Sequence, residues 1–151
     1  MLHVALWEPE IPPNTGNVAR LCAATGVVLH LVGRLGFRLD DRHLLRAGLD
    51  YWRHVDVRRH NSLDELTATL TGVRIIPVSS KVSRAYTQER FRDGDCLLFG
   101  SESKGLPPSV LARYAENAVT IPMPAGHVRS LNLATAVGIV LYEALRQLHD
   151  W

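Results

Sequence analysis

Short aliphatic runs alternate with amphipathic stretches along the whole chain, and this alternation constrains the fold more tightly than any other feature. The runs are HVALW (His3–Trp7), VVLHLVG from Val27, VRIIPVS from Val73, DCLLFG from Asp95 and AVTIPM from Ala118. Each is too short for a helix and apolar on successive residues, so each reads as a strand buried on both faces. Helical stretches lie between them. NTGNVARLCAATG has Asn14 or Thr15 near its start and Gly26 as its stop, and Asp40 or Asp41 caps a short helix through Leu45. Ser62 to Glu65 is a capping box opening a helix to Leu70, and PPSVLARYA begins on prolines, where a missing N–H costs least. Such alternation gives an α/β fold with a mainly parallel sheet flanked by helices.

The 151 residues, 46% hydrophobic and 21% charged, suffice for one domain with a real core. With no repeat, linker or low-complexity tract to divide them, residues 1–151 are expected to form a single unit. No apolar run reaches the roughly 18 residues of a membrane span. The opening MLHVALWEPE has neither a basic n-region nor a small-residue cleavage site, so a cytoplasmic protein is expected. Cys22 and Cys96 lie far apart in apolar contexts and are expected as buried, reduced thiols. The seven histidines show no H-x-x-x-H grouping and the cysteines no C-x-x-C, so no metal site is expected.

A net charge of +2 leans weakly towards an anionic partner. Of the 17 Lys and Arg residues, only Lys81 and Lys104 are lysine. Arg34, Arg38, Arg42 and Arg46 recur every four residues, which on a helix places Arg side chains on one face, suited to bidentate phosphate contacts. The plainer alternative is a solvated, Arg-rich surface.

In parallel sheets of this kind, ligands lie beyond the C-terminal ends of the strands. The segments there are EPEIPPNTGN, SSKVS, GSESKGLP and PAGHVRSLN. GSESKGLP carries neither G-x-G-x-x-G nor G-x-x-x-x-G-K-[ST], which argues against dinucleotide and nucleoside-triphosphate sites. A turn explains its glycines but not Glu102 and Lys104 between them, so a ligand loop is expected. Ser101 to Lys104 also fits S-x-x-K, but the companion S-D-N and K-T-G motifs are missing, and a Ser–Lys hydrolase is set aside. Asn14, Asn17 and Arg20 share one end and side of the first helix, while Arg129, Ser130 and Asn132 precede the last. Singly, each is explained as a cap or a surface charge. Jointly, and in this order, they are not.

The last helix is apolar nearly all round. Leu133, Ala136, Val137, Val140, Leu141, Ala144 and Leu145 form a broad face that Ala134 and Ile139 extend. Such a helix must be buried nearly all round, and in a domain this small a partner subunit is a natural cover.

NTGNVARLCAATG, LLFGSESKGLP and IPMPAGHVRSLNLATAVGIVLYE resemble the three signature motifs of the SPOUT methyltransferases, in the SpoU branch. The opening PEIPPNTGN and RAGLDYW (Arg46 to Trp52) are similar to its minimal, single-domain subgroup, which methylates the ribose 2′-hydroxyl of the tRNA wobble nucleotide, cytidine or uridine 34. The likeness covers essentially the whole chain. It implies a deep C-terminal trefoil knot, S-adenosyl-L-methionine held in the knot, a homodimer through the terminal helix and the tRNA anticodon stem-loop as partner.

Carried over by motif, the resemblance implies cofactor binding by Val78, Gly100, Ile121 and Ser130, with Met123 and Leu131 as apolar walls. It implies catalysis by Arg20 with Asn14, Ser130 and Asn132; Arg20, Lys104 and Arg129 are the candidates for RNA contacts, with Arg42 and Arg46 as outlying support. Glu102 either orders its loop or pairs with Arg20. The chain departs from the family pattern at Val128, where Ser is usual, at Ala134, where a small hydroxyl residue is common, and in a PAGHVRS loop one residue longer. The rivals are a 2′-O-methyltransferase of the same branch acting on ribosomal RNA or another tRNA position, and a non-catalytic RNA- or nucleotide-binding domain. The joint presence of Asn14, Arg20, Ser130 and Asn132 speaks against the last, because binding alone does not need that set.

Overall fold

A computed structural model describes residues 1–48 and 51–151, so Leu49 and Asp50 of RAGLDYW lie outside the described residues. Its centre is a five-stranded parallel sheet built from β1 (His3–Trp7), β2 (Val28–Val32), β3 (Val57–His60), β4 (Ile75–Val78) and β5 (Cys96–Phe99), in the order β3-β2-β1-β5-β4. The helices are α1 (Pro12–Thr25), α2 (Arg42–Gly48), α3 (Leu63–Thr69), α4 (Pro108–Arg113) and α5 (Leu133–His149). Every pairing is parallel, with Val4 opposite Leu29 and Leu97.

Period-two alternation sends the strands' side chains into two cores. Val4, Leu6, Leu29, Leu31, Leu97 and Phe99 face the layer containing α1 and α5. Ala5, Val32, Ile75, Cys96 and Leu98 face the layer that holds Leu63 and Leu66 of α3. Covering both faces explains why the strand sequences lack a polar phase. Cys22 and Cys96 are free and buried, and desolvation pushes each thiol up to about 12.

Two expectations need correction. AVTIPM is not a strand of the sheet. Val119 and Thr120 form only isolated bridges, to Val78 and Ala85, so residues 118–120 run between the end of β4 and the 84–86 segment, hydrogen-bonded to both. The following Pro122 and Pro124 cannot donate to a ladder, which ends the pairing early. The fifth strand is instead VRRH, β3, whose exposed Arg58 and Arg59 hide it from a hydrophobicity reading; charge is tolerated because β3 is an edge. The four-residue Arg spacing is not one helical face either. Arg34 and Arg38 precede α2, Arg38 pairs with Asp40 at 3.0 Å, and only Arg42 and Arg46 sit on the helix, both exposed.

Caps follow the sequence closely. Gly26 takes φ 72° and ends α1 with its N–H on the Cys22 carbonyl. Asp41, not Asp40, caps α2 by accepting from His43 N at 2.8 Å, and Ser62 accepts from Glu65 N to open α3. α1 starts at Pro12, with Ile11 in the cap position, so Asn14 and Thr15 lie inside the first turn rather than capping it.

Three histidines form a ladder on the Ala5 face of the sheet. His3 Nδ1 lies 2.9 Å from His30 Nε2, and His30 Nδ1 lies 2.9 Å from His60 Nε2. A neutral imidazole has one donor and one acceptor, so the ladder runs in a single direction. Burial first, then the His3 and His60 charges, hold His30 down to about 3 against its usual 6.5. The unfolded chain takes up protons that the native ladder refuses, so this contribution is present above pH 6.5 and is lost as pH falls towards about 3. The melting temperature should therefore fall continuously across that window, and His30→Leu should give a shallower fall in a pH series of thermal melts.

Candidate active site

A cavity of about 550 Å³ opens where the C-terminal ends of β4 and β5 meet the approach to α5. Small-molecule sites occupy roughly 300–1,000 Å³, so this one has room for a nucleoside-sized ligand. Val78 supplies the end of β4 and Gly100 the exit of β5, with Ile121, Met123, Ser130 and Leu131 opposite. These are the six residues that the sequence nominates for a cofactor, and all six line the cavity. Their mixture of apolar side chains and main-chain polar groups suits an aromatic base.

Gly100 is glycine for a reason that lies in the chain itself. A Cβ there would fall 2.1 Å from the Gly105 carbonyl carbon and 2.3 Å from Leu106 N, because the loop folds back over its own start. That return is made by Gly105, at φ 67° and with its N–H on the Ser101 carbonyl at 2.8 Å. The Ser–Lys pair of this loop is not a nucleophile and base: Ser101 is buried and its hydroxyl accepts from the Lys104 backbone N–H, while Lys104 is exposed.

Two carboxylates bind this loop to the start of α1. Glu102 accepts from Glu10 N at 2.9 Å, Ile11 N at 2.8 Å and Asn14 Nδ2 at 3.2 Å. In return, Glu10 Oε1 accepts from the Ser103 hydroxyl at 2.6 Å and from Ser103 N at 2.9 Å. These bonds, the hydroxyl's first, hold the Glu10 carboxyl below its ordinary 4.5, so it stays ionised down to that pH and gives up the Ser103 contacts as the pH falls further. Glu102 thus ties its loop to the start of α1, and no ion pair joins it to Arg20 among the described residues.

The polarity of the network then follows. A carboxylate only accepts, so Asn14 turns its Nδ2 to Glu102 and its Oδ1 to Asn132. Asn132 Nδ2 donates to that oxygen at 3.0 Å, and Asn132 Oδ1 caps α5 by accepting from Thr135 N at 3.2 Å. Asn14, Glu102 and Asn132, far apart in sequence, thus form one hydrogen-bonded line beside the cavity.

The nominated cations are dispersed. Lys104 and Arg129 line the cavity and are exposed, whereas Arg20 does not line it. It lies six residues beyond Asn14 on α1, about 9 Å along the axis at 1.5 Å per residue, with its guanidinium 4.9 Å from the Tyr51 ring centroid. Arg42 and Arg46 are farther out on α2, which packs against α1. Two of the departures from the family pattern fall outside the cavity: Val128 is exposed, and Ala134 lines an open groove between α1 and α5 together with Asn17, Leu21, Gly138 and Ile139; the longer PAGHVRS loop ends at the cavity with Arg129 and Ser130. Sequence reasoning singled out the segments after the strands but gave no role within them to Glu10, which holds Ser103, or to Ser103 and Ser79–Lys81, which line the cavity. Their position just after strands was the available signal.

Among the described residues, no group of three or more His, Cys, Asp or Glu side chains is arranged to hold a metal ion, and no helix is long and apolar enough to cross a membrane.

Residues 1–142 match the SpoU rRNA Methylase family. The chain is 46% identical over 149 residues to the tRNA (cytidine(34)-2'-O)-methyltransferase of Escherichia coli K12, covering 98% of this chain and 94% of that one. It superposes with TM-score 0.95 and 53% identity on a structure solved for the 2-OH methylation of C/U34 on tRNA, covering 100% of this chain and 98% of the other. An AdoMet-bound rRNA methyltransferase from Sinorhizobium meliloti aligns with TM-score 0.86 and 33% identity over 97% of this chain and 56% of its own.

Glu102→Ala removes the acceptor of three donors at once. Each buried donor left unpaired costs about 1–3 kcal/mol, less where water reaches it. The variant should melt several degrees lower, and amide exchange at Glu10 and Ile11 should accelerate.

Proposed function

The chain belongs to the SpoU rRNA methylase family, and on that premise we propose that it transfers a methyl group from S-adenosyl-L-methionine to the ribose 2′-hydroxyl of the wobble nucleotide, cytidine or modified uridine 34, of tRNA. The observation that carries this reading is the identity, along nearly the whole chain, to a relative named for that reaction. Residues 1–151 act as one methyltransferase domain, in the cytoplasm, on the anticodon stem-loop. The chain is knotted near its C-terminus, a reading supported by the passage of residues 118–120 between the end of β4 and the 84–86 segment.

Val78, Gly100, Ile121 and Ser130 would hold the cofactor, with Met123 and Leu131 as walls. The cavity fits such a group: main-chain donors and acceptors read an adenine, and the one carboxylate of the lining, Glu102, is already engaged. When bound, the cofactor supplies an activated methyl group. The protein's part is to present the 2′-oxygen in line, and positioning of this kind contributes about 7–11 kcal/mol in favourable cases. Asn14, Ser130 and Asn132 orient the ribose, and the hydrogen-bonded line from Glu102 fixes two of the three. Arg20 stabilises the developing alkoxide and clamps a neighbouring phosphate. A guanidinium stays protonated and is no base, so water or a phosphate oxygen takes the proton.

Arg20 lies outside the cavity of its own chain, which supports a homodimer through α5 in which Arg20 of one protomer serves its partner's site. The open groove of Asn17, Leu21, Ala134, Gly138 and Ile139 is the surface such a dimer covers. Lys104 and Arg129 at the cavity, with Arg42 and Arg46 outlying, contact RNA phosphates.

Purified protein, labelled S-adenosylmethionine and total tRNA from cells lacking this gene, followed by mass-spectrometric mapping of nuclease fragments, test the reading. A 2′-O-methyl group at nucleotide 34, lost in Arg20→Ala, is expected. Methylation of ribosomal RNA instead would overturn the target, and cofactor binding without transfer to any RNA would overturn the activity. In a salt series, replacing Lys104 and Arg129 together by Ala should reduce the slope of log K against log salt by about 2.

A further inference from the structure

We infer that Tyr51 is a positioning residue for Arg20, holding its guanidinium where it can meet RNA. The inference rests on the role proposed above for Arg20. The Arg20 guanidinium carbon stands 4.9 Å from the centroid of the Tyr51 ring, within the distance at which the negative face of an aromatic attracts a cation. A carboxylate partner would occupy the guanidinium edge, where all five N–H donors lie. An aromatic ring attracts the cation without a carboxylate's claim on that edge, and among the described residues no ion pair engages Arg20. The charge and the donor fork thus remain available for a phosphate oxygen or a developing alkoxide.

Tyr51 is itself held. It precedes a 3-10 turn, Trp52–His54, that is closed by His54 N on the Tyr51 carbonyl at 2.9 Å and Val55 N on the Trp52 carbonyl at 3.2 Å. Trp52 and Val55 pack against the core that contains Val18, Ala19 and Cys22 of α1, so the turn is fastened to the helix that bears Arg20. Tyr51 remains 37% exposed, as a residue must be whose held cation reaches for RNA. An unsupported Arg side chain samples many rotamers, and holding it in one costs entropy at each encounter. Tyr51 lowers that cost in advance.

Steady-state kinetics of Tyr51→Leu, Tyr51→Phe, Tyr51→Trp and Arg20→Ala on tRNA test the inference, with thermal melts to confirm folding. Leu keeps an apolar side chain of similar reach but has no ring face. Tyr51→Leu should lower kcat about tenfold, the scale expected when a transition-state contact is loosened rather than removed, with the KM for S-adenosylmethionine unchanged. Phe and Trp should retain most of the activity, and they carry the test if Tyr51→Leu fails to fold. Full activity in Tyr51→Leu beside an inactive Arg20→Ala would overturn the inference and leave the function standing. A Phe variant as impaired as Leu would overturn it in favour of the hydroxyl, and a raised KM for tRNA at unchanged kcat would make Tyr51 a base-stacking surface instead. An active Arg20→Ala would bring down the role of Arg20, and this inference with it.

Discussion

The exchange of carboxylates between the β5 loop and the start of α1 is the constraint on which the site depends. Glu102 reaches the N-terminus of α1, where Pro12 and Pro13 have no N–H to offer and the free donors are those of Glu10 and Ile11. A negative charge at that end also meets the positive pole of a helix of 14 residues. Glu10 answers by fastening Ser103. With both carboxylates engaged, neither loop can shift without the other, and Asn14 stands where it can receive Asn132. Three segments separated by most of the chain thereby become one wall of the cavity, and the cap of α5 is part of it. The cavity is set by this loop geometry more than by the sheet, which supplies only the strand ends.

Much of this was legible in the sequence, and the reasons differ by residue. Val78 and Gly100 were accessible through the resemblance to the SpoU motifs, and they stand at strand ends, where a parallel sheet places its ligands. Gly26, Asp41 and Ser62 were accessible because caps are local chemistry. β3 was not, since an edge strand tolerates Arg58 and Arg59 and so loses its hydrophobic signature. Nor was the His3–His30–His60 ladder, which exists only because sheet order sets β1, β2 and β3 side by side. At Gly100 the position was legible but not this reason for it: the loop's own return to Gly105 requires the glycine. The motifs identified which side chains matter at Asn14, Glu102 and Asn132, but only coordinates assign direction to the hydrogen bonds among them.

The apolar terminal helix has two different reasons for its composition. Val137, Val140, Leu141, Ala144 and Leu145 are buried within their own chain and belong to the core under β1 and β5. Ala134, Gly138 and Ile139 instead form an open groove with Asn17 and Leu21 of α1. Arg20 lies between Asn17 and Leu21 in sequence and, at i+3 from Asn17, on the same side of α1. A surface that covers this groove therefore brings Arg20 to its rim, facing whatever covers it. Gly138 keeps the floor low: a Cβ there would make only ordinary contact with Leu21 at 3.9 Å, so its absence opens the groove and relieves no internal clash. Under the proposed dimer, the second apolar face of α5 and the displacement of Arg20 from its own cavity are one feature, because the surface that joins two chains is the surface that carries the cation between them.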